Sequence, residues 1–366
     1  MTDVVVIGGG IHGCAVAWEL ALRGREVTVL ERSVPGAEAS SAAGGILGAN
    51  LEAGAEPTAF DALATYSMAL YPDWVARLEE ASGVRVGFHR CGGLLTTFRP
   101  DGLEGLKAHA AGITARDVPA RWCSAEELRE LEPGIGEALG GIHYPGEAQV
   151  EPHALMRALP IAARKAGVTF VTDTVRGIAD GPRGLSVECE GGVREAAQVV
   201  VAAGAWSARL PGVGLPADSV RPARGQMLSL QAPEPPCRAI VFSDRGYIVP
   251  RPDGRVLCGS TLEFVGFCKA VTASGMREML DLGIEIAPVL ATAELVETWS
   301  GLRPYTDDHL PILGAAARDG VWLSTGHYRN GILLAPGSAT ALADEMTGGQ
   351  SAVSLEAFAP ERLEAS

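Results

Sequence analysis

The sequence lacks any run of about 18 apolar residues, so it offers no membrane-spanning helix. No basic segment precedes its first apolar run, which argues against a secretory signal. Lys and Arg form no cluster and the formal charge is −14. Nucleic acid and an anionic membrane are therefore not expected as partners, and the acidity reads as a solubility feature. The seven cysteines are scattered, with no C-x-x-C pair and no metal-ligand spacing. They read as reduced thiols of a cytoplasmic protein, with neither disulfide nor metal expected. Internal repeats and low-complexity tracts are also missing.

What is present suits a soluble protein. The 366 residues, 47% of them hydrophobic and 20% charged, are enough for two domains sharing one cofactor. Glycine is abundant, at 46 residues, yet shows no Gly-X-Y period. The glycines should mark turns and close backbone approaches.

The N-terminus carries the clearest pattern. Asp3-Val4-Val5-Val6-Ile7 is a β-branched run that fits a strand buried on both faces. Gly8-Gly9-Gly10-Ile11-His12-Gly13 follows, then a helical stretch from Cys14 to Leu22 closed by Arg23-Gly24. A second strand spans Glu26 to Leu30 and ends at Glu31. In this pattern Gly8 permits the tight turn and Gly10 leaves room for a pyrophosphate. Gly13 lets helix pack on strand, and the helix N-terminus offers N–H groups to phosphate. Glu31 stands where a carboxylate can accept from ribose hydroxyls, with Ile11 and His12 inside the loop. Arg32 hints at a 2′-phosphate, but Glu31 would repel one, so NADP is the weaker reading. A glycine turn in an unrelated βαβ unit is the alternative.

Two later stretches favour FAD among dinucleotides. Ser40-Ser41-Ala42-Ala43-Gly44-Gly45-Ile46-Leu47-Gly48-Ala49 has side chains small enough for backbone to approach a flat ring system, although a plain loop would also explain it. Gly167 to Val171 and Val175 read as strands. Val199 to Ser207 reads as a buried strand ending in a glycine turn at Ala203-Gly204. The run Gly326-His327-Tyr328-Arg329-Asn330-Gly331-Ile332-Leu333 continues to Pro336 and leads into an expected helix from Ser338 to Met346. Such a helix start can stabilise the negative charge of a reduced flavin.

These segments, together with Arg224-Gly225-Gln226, Tyr247-Ile248-Val249-Pro250-Arg251 and Gly301-Leu302-Arg303-Pro304, resemble the D-amino-acid oxidase superfamily. Within it they are most similar to the glycine oxidase group of the thiamine pathway. The resemblance runs over nearly the whole chain and implies an α/β fold. A Rossmann-type FAD-binding domain would be formed by residues 1–85, 148–218 and 304–366. A substrate domain on a mixed, largely antiparallel sheet would use residues 86–147 and 219–303. Gln226–Leu230, Gly246–Pro250 and Arg255–Thr261 read as its strands, and Met276–Ala287 as a helix.

The resemblance also implies a site. Ala39, Ser40, Ser41, Gly44, Gly45, Ile46, Val175, Ala203, Gly204 and the His327–Leu333 run join the glycine loop, Glu31 and Arg32 in holding FAD. Arg303 would bind the substrate carboxylate, because a guanidinium fork meets both oxygens at once. Arg329, Tyr247, Ile46 and Leu262 would border the substrate. A surface ion pair for Arg303 and plain packing for Tyr247, Ile46 and Leu262 are the competing readings. No side-chain base is expected. The implied reaction is hydride transfer from Cα to flavin N5, and His327 reads as a structural contact. Ser300 to Gly314 contains no cysteine, so the flavin should be non-covalent. Cys268 stands where the group often has an acid, and Asn50 falls near the expected pocket entrance.

The expected activity is oxidation of glycine and similar small amines by O2, giving glyoxylate, ammonia and H2O2 for thiazole synthesis. Sarcosine or D-amino-acid oxidation, and a flavin dehydrogenase with another acceptor, stay open. So do an NAD(P) dehydrogenase and a non-catalytic flavin subunit. The relatives imply a homo-oligomer, a tetramer among the options.

Overall fold

The apolar run at the N-terminus forms β1 (Thr2–Ile7), in which Val4 to Ile7 are at most 4% exposed. In the computed structural model, residues 2–363 are described, apart from 52, 55, 117 and 183. Helix α1 (Ile11–Leu22) begins within the Gly8–Gly13 run, earlier than the expected Cys14, because Ile11, His12 and Gly13 already form its first turn. β2 (Val27–Glu31) lies parallel to β1, with Val4 opposite Val27. On its other side β1 runs parallel to the strand Gly192–Val201, with Val6 opposite Val200.

Among the described residues, two eight-stranded sheets organise the fold. The first has parallel strands at its centre and draws on Thr2–Ile7, Val27–Glu31, Thr169–Thr172, Val175–Gly181, Gly184–Cys189, Gly192–Val201, Ile312–Ala315 and Val321–Thr325. The second orders Glu294–Tyr305, Arg221–Gln231, Arg255–Gly259, Gly246–Pro250, Ile240–Ser243, Gly93–Thr97, Gly140–Tyr144 and Arg121–Ser124. It is antiparallel except where Ile240–Ser243 meets Gly93–Thr97, so it is mixed. A small third sheet pairs Ile46–Leu47 and His89–Arg90 with Ala148–Gln149. It ties the small-residue segment to the rest of the molecule.

The helix before the C-terminus departs from expectation. It spans Gly331–Met346 rather than starting at Ser338, and so contains Pro336. Proline cannot donate to the carbonyl four residues back. The long helix Ala59–Ser82 makes up the loss: Tyr71 Oη donates to Ile332 O at 2.5 Å, and Ser67 Oγ to Leu333 O at 2.6 Å. Gly337 N in turn donates to Ser67 Oγ at 2.9 Å. Two buried side chains thus complete the broken ladder and fix where the helix starts.

Candidate active site

A cavity of about 830 Å³ opens at the C-terminal ends of β1 and β2, where ligands sit in parallel α/β sheets. Gly8, Gly10, Ile11, His12, Glu31, Arg32, Ala39, Ser40, Gly44, Gly45 and Ile46 line it. So do Val175, Ala203, Gly204, Tyr247, Arg303, and His327 through Ile332. Four expected residues lie off its wall. Gly13 is buried in α1, and Leu333 is a core residue at 1% exposure. Ser41 borders a separate shallow depression with Met156 and Arg157. Leu262, expected to border the substrate, is 53% exposed. The neighbouring Thr261 takes the inward direction, with its hydroxyl accepting from Gln226 N at 2.9 Å.

The three glycines of the loop differ in what they serve. A Cβ on Gly8, whose φ is +104°, would lie 2.5 Å from Ala202 O. A Cβ on Gly13 would lie 1.9 Å from Gly8 O. The protein's own packing demands both. Gly10 has φ −71°, which any residue adopts, and its Cβ would meet only Ser40 Oγ at 3.3 Å. The chain itself therefore leaves that space open. Gly10 is the N-cap of α1 and brings no capping side chain, while Ser40 Oγ accepts from Ile11 N at 2.9 Å. The partial positive charge of this helix end faces the open cradle. Glu31 accepts from Gly9 N at 2.7 Å and Ser33 N at 3.0 Å. A carboxylate has about four lone-pair sites, so it can also take ribose hydroxyls. Arg32 pairs with Glu38 at 2.7 Å and lies over the Trp206 ring at 4.0 Å. An acid and an indole thus engage the residue that hinted at a 2′-phosphate.

The other end is built on the segment Gly44–Ile46. Gly45 has φ +73°, and a Cβ there would lie 2.1 Å from Val150 O. Arg251, 4% exposed, holds this segment: Nη2 donates to Gly44 O at 2.8 Å, and Nη1 to Val150 O at 2.9 Å. Burial pulls its pKa down, partly offset by nearby Glu151. Trp299 Nε1 donates to Ala42 O at 3.0 Å. Arg303 donates through Nη2 to Ser260 Oγ and through Nη1 to Thr261 O at 3.2 Å. Gly225 makes this seat possible, since a Cβ there would lie 2.0 Å from Arg303 Nη2. Arg329 is exposed, with its guanidinium 5.2 Å from the Tyr328 ring.

His12 and His327 stack face to face, with centroids 3.3 Å apart at 11°. Burial lowers the His12 pKa to about 3. Burial and the neighbouring His12 hold His327 well below its ordinary value. Both rings are neutral near pH 7, and His327 Nε2 lies 3.3 Å from Ser338 Oγ. An imidazole this reluctant to hold a proton is a poor general base.

Several cavity residues escaped the sequence reading: Trp206, Leu51, Leu95, Phe242, Arg245 and Ser260 all line the wall. Gly225 was visible only as part of a motif. The stacked histidine pair had no signal, because its members lie at opposite ends of the chain.

The residues fit FAD. The cavity joins a glycine cradle left open at Gly10 and a ribose-ready acid to an end walled by small residues. Among the described residues, no group of three or more His, Cys, Asp or Glu could hold a metal. Likewise no described helix is long and apolar enough to cross a membrane.

Known proteins agree with this geometry. The chain is 37% identical over 366 residues to glycine oxidase of Geobacillus kaustophilus (strain HTA426), covering 98% of this chain and 97% of that one. The crystal structure of glycine oxidase from Geobacillus kaustophilus superposes with a TM-score of 0.94 at 36% identity, over 98% of each chain. The bifunctional protein ThiO/ThiG of Trichormus variabilis (strain ATCC 29413 / PCC 7937) is 38% identical over 349 residues, or 93% of this chain. The chain spans about half, 52%, of that relative's length. Residues 3–345 match the DAO family, described as FAD dependent oxidoreductase. The chain belongs to this family of FAD-dependent oxidoreductases, and FAD is the cofactor its cavity is built to hold.

Proposed function

We propose that the protein oxidises glycine and similar small amines. The observation that carries this reading is the seating of Arg303: a cation held by Ser260 and Thr261 in the same cavity as the glycine cradle. Arg303 binds the substrate carboxylate. Tyr247, Phe242, Ile46 and Leu51 form an adjoining wall that favours a small, largely apolar remainder. FAD, held by the Gly8–Gly13 loop, Glu31 and the Gly44–Ile46 segment, would supply a two-electron acceptor for the hydride of the substrate Cα. The protein supplies alignment and a dry wall, and no side-chain base is needed because the Cα hydrogen leaves as hydride. O2 is the acceptor, with glyoxylate, ammonia and H2O2 as products. The similarity to glycine oxidases and ThiO/ThiG proteins supports this reading and a role in making the thiamine thiazole. No cysteine lines the cavity among the described residues, which favours non-covalent FAD.

The cofactor unit comprises residues 1–85, 148–218 and 304–366, and the substrate unit residues 86–147 and 219–303. The origin of the strands in the two large sheets supports this division, with strand Glu294–Tyr305 running just past the last boundary. Sarcosine and small D-amino acids are the alternative substrates. The test is aerobic turnover of purified holoprotein with glycine. Stoichiometric H2O2 is expected, while flavin reduction by glycine without peroxide would replace the oxidase with a dehydrogenase.

A further inference from the structure

Beside the cavity lies a buried acid that the proposed reaction does not use. Glu147 is 0% exposed, in the turn between the strands Gly140–Tyr144 and Ala148–Gln149. Its carboxylate accepts from Ala49 N at 2.8 Å, Asn50 N at 3.0 Å and Asn50 Nδ2 at 2.9 Å. Among the described ion pairs none includes it, and burial raises its pKa in spite of the three donors. A buried carboxylate without a counter-ion is costly, and stability alone gives no reason to place one here. All three donors belong to the segment that follows Gly48. Gly48 and Leu51 both line the cavity, as do Leu95, Phe242 and Tyr247. Leu51 and Leu95 both pack against the cluster that includes Tyr144, and Leu95 is the strand partner of Phe242. The same segment is already held at its start by Arg251 on Gly44 O. A buried cation thus holds a carbonyl at one end of Gly44–Asn50, and a buried anion holds two amides at the other.

We propose that Glu147 is a positioning residue for substrate discrimination, fixing Ala49–Leu51 so that Leu51 closes the apolar end of the amine pocket. The role rests on the amine-oxidising reading, although the carboxylate is bonded to its own chain and does not line the cavity. Without the clamp, Leu51 can withdraw and the pocket accepts a longer amine, with weaker selection for glycine.

The experiment compares the FAD-loaded wild type with Glu147→Gln, Glu147→Asp and Asn50→Ala. Amide hydrogen exchange at Ala49 and Asn50 reports the clamp, without any turnover. Anaerobic flavin reduction by glycine and by N-ethylglycine reports discrimination. Glu147→Gln should keep its FAD and exchange both amides at least about tenfold faster. Its kcat/KM ratio for N-ethylglycine over glycine should rise about tenfold, mainly through a higher KM for glycine. Glu147→Asp should recover part of both effects. Asn50→Ala loses one donor of three and should move both readouts less, in the same direction; it also serves if Glu147→Gln does not fold. Unchanged exchange in both Glu147→Gln and Asn50→Ala would overturn the clamp. Faster exchange with an unchanged ratio would overturn the specificity role. A wild type whose flavin no amine reduces would remove the amine reading and the specificity role with it, and exchange would then decide the clamp alone.

Discussion

Arg303 and Gly225 show how a single cation is seated in the cavity wall, where we propose that it meets a substrate carboxylate. The guanidinium is fixed by Ser260 Oγ and Thr261 O, and the strand beneath it has no side chain at Gly225. Arg303→Ala leaves a bound carboxylate unpaired, at a cost of about 3–5 kcal/mol. The KM for glycine should rise by more than about a hundredfold, with FAD content unchanged; an unaltered KM would remove Arg303 from the substrate site. Gly225→Ala keeps the cation but displaces it, since a Cβ would stand 2.0 Å from Nη2. It should reproduce much of the same defect in steady-state kinetics. At this scale the sequence was partly legible. Arg303 stood in a readable motif, but the reason for Gly225 lies in its pairing with Gly301 across two antiparallel strands. Nothing local tells that Thr261 is buried while the expected pocket residue Leu262 is exposed.

The Gly331–Met346 helix makes the same point for elements. Proline inside a glycine-rich stretch reads as a helix boundary, which is why Ser338 looked like the start. The structure carries the helix back to Gly331, because Tyr71 and Ser67 occupy the carbonyls that Pro336 disturbs. Such a rescue comes from a distant helix and leaves no local signal. Tyr71→Phe strands the buried Ile332 carbonyl and should cost about 1–3 kcal/mol in urea unfolding. It should also weaken FAD retention on dilution, because the helix start lines the cavity. A variant as stable and as yellow as wild type would deny that role. The stacked histidines link this helix to α1 and give a pH dependence. An unfolded histidine titrates near 6.5, whereas His12 in the fold titrates at about 3. Between these values the unfolded chain binds more protons, so stability is full above about 6.5 and falls as pH drops toward about 3. His12→Ile should flatten this loss between pH 7 and pH 4.5 in urea titrations. An acid slope equal to wild type would show that the pair does not carry it.

Across the whole molecule, the first sheet brings the glycine loop and Glu31 to one end of a cavity. The second sheet brings Tyr247 and Arg303 to the other. The strand–glycine–helix–strand beginning was legible apart from the helix start, because one local pattern encodes it. The far wall was not: Leu51, Leu95 and the hairpin that carries Phe242 and Arg245 are far apart in sequence, and Leu95 meets Phe242 only through strand pairing. Gly10→Val tests the near end, since the backbone at φ −71° accepts a side chain and, among the described residues beyond its chain neighbours, a Cβ there would have only Ser40 Oγ within 4 Å. The purified variant should be folded but colourless, and retained yellow colour would show that the cradle does not hold the pyrophosphate. The central claim joins both ends of the cavity to one reaction. Its most direct measurement is an anaerobic titration of the purified yellow protein with glycine, sarcosine, small D-amino acids and a set of L-amino acids, followed by flavin absorbance. Glycine or another small amine should bleach the flavin of the wild type, with the effect lost at the same concentrations in Arg303→Ala. Flavin that stays oxidised with every amine, while dithionite still reduces it, would contradict the account.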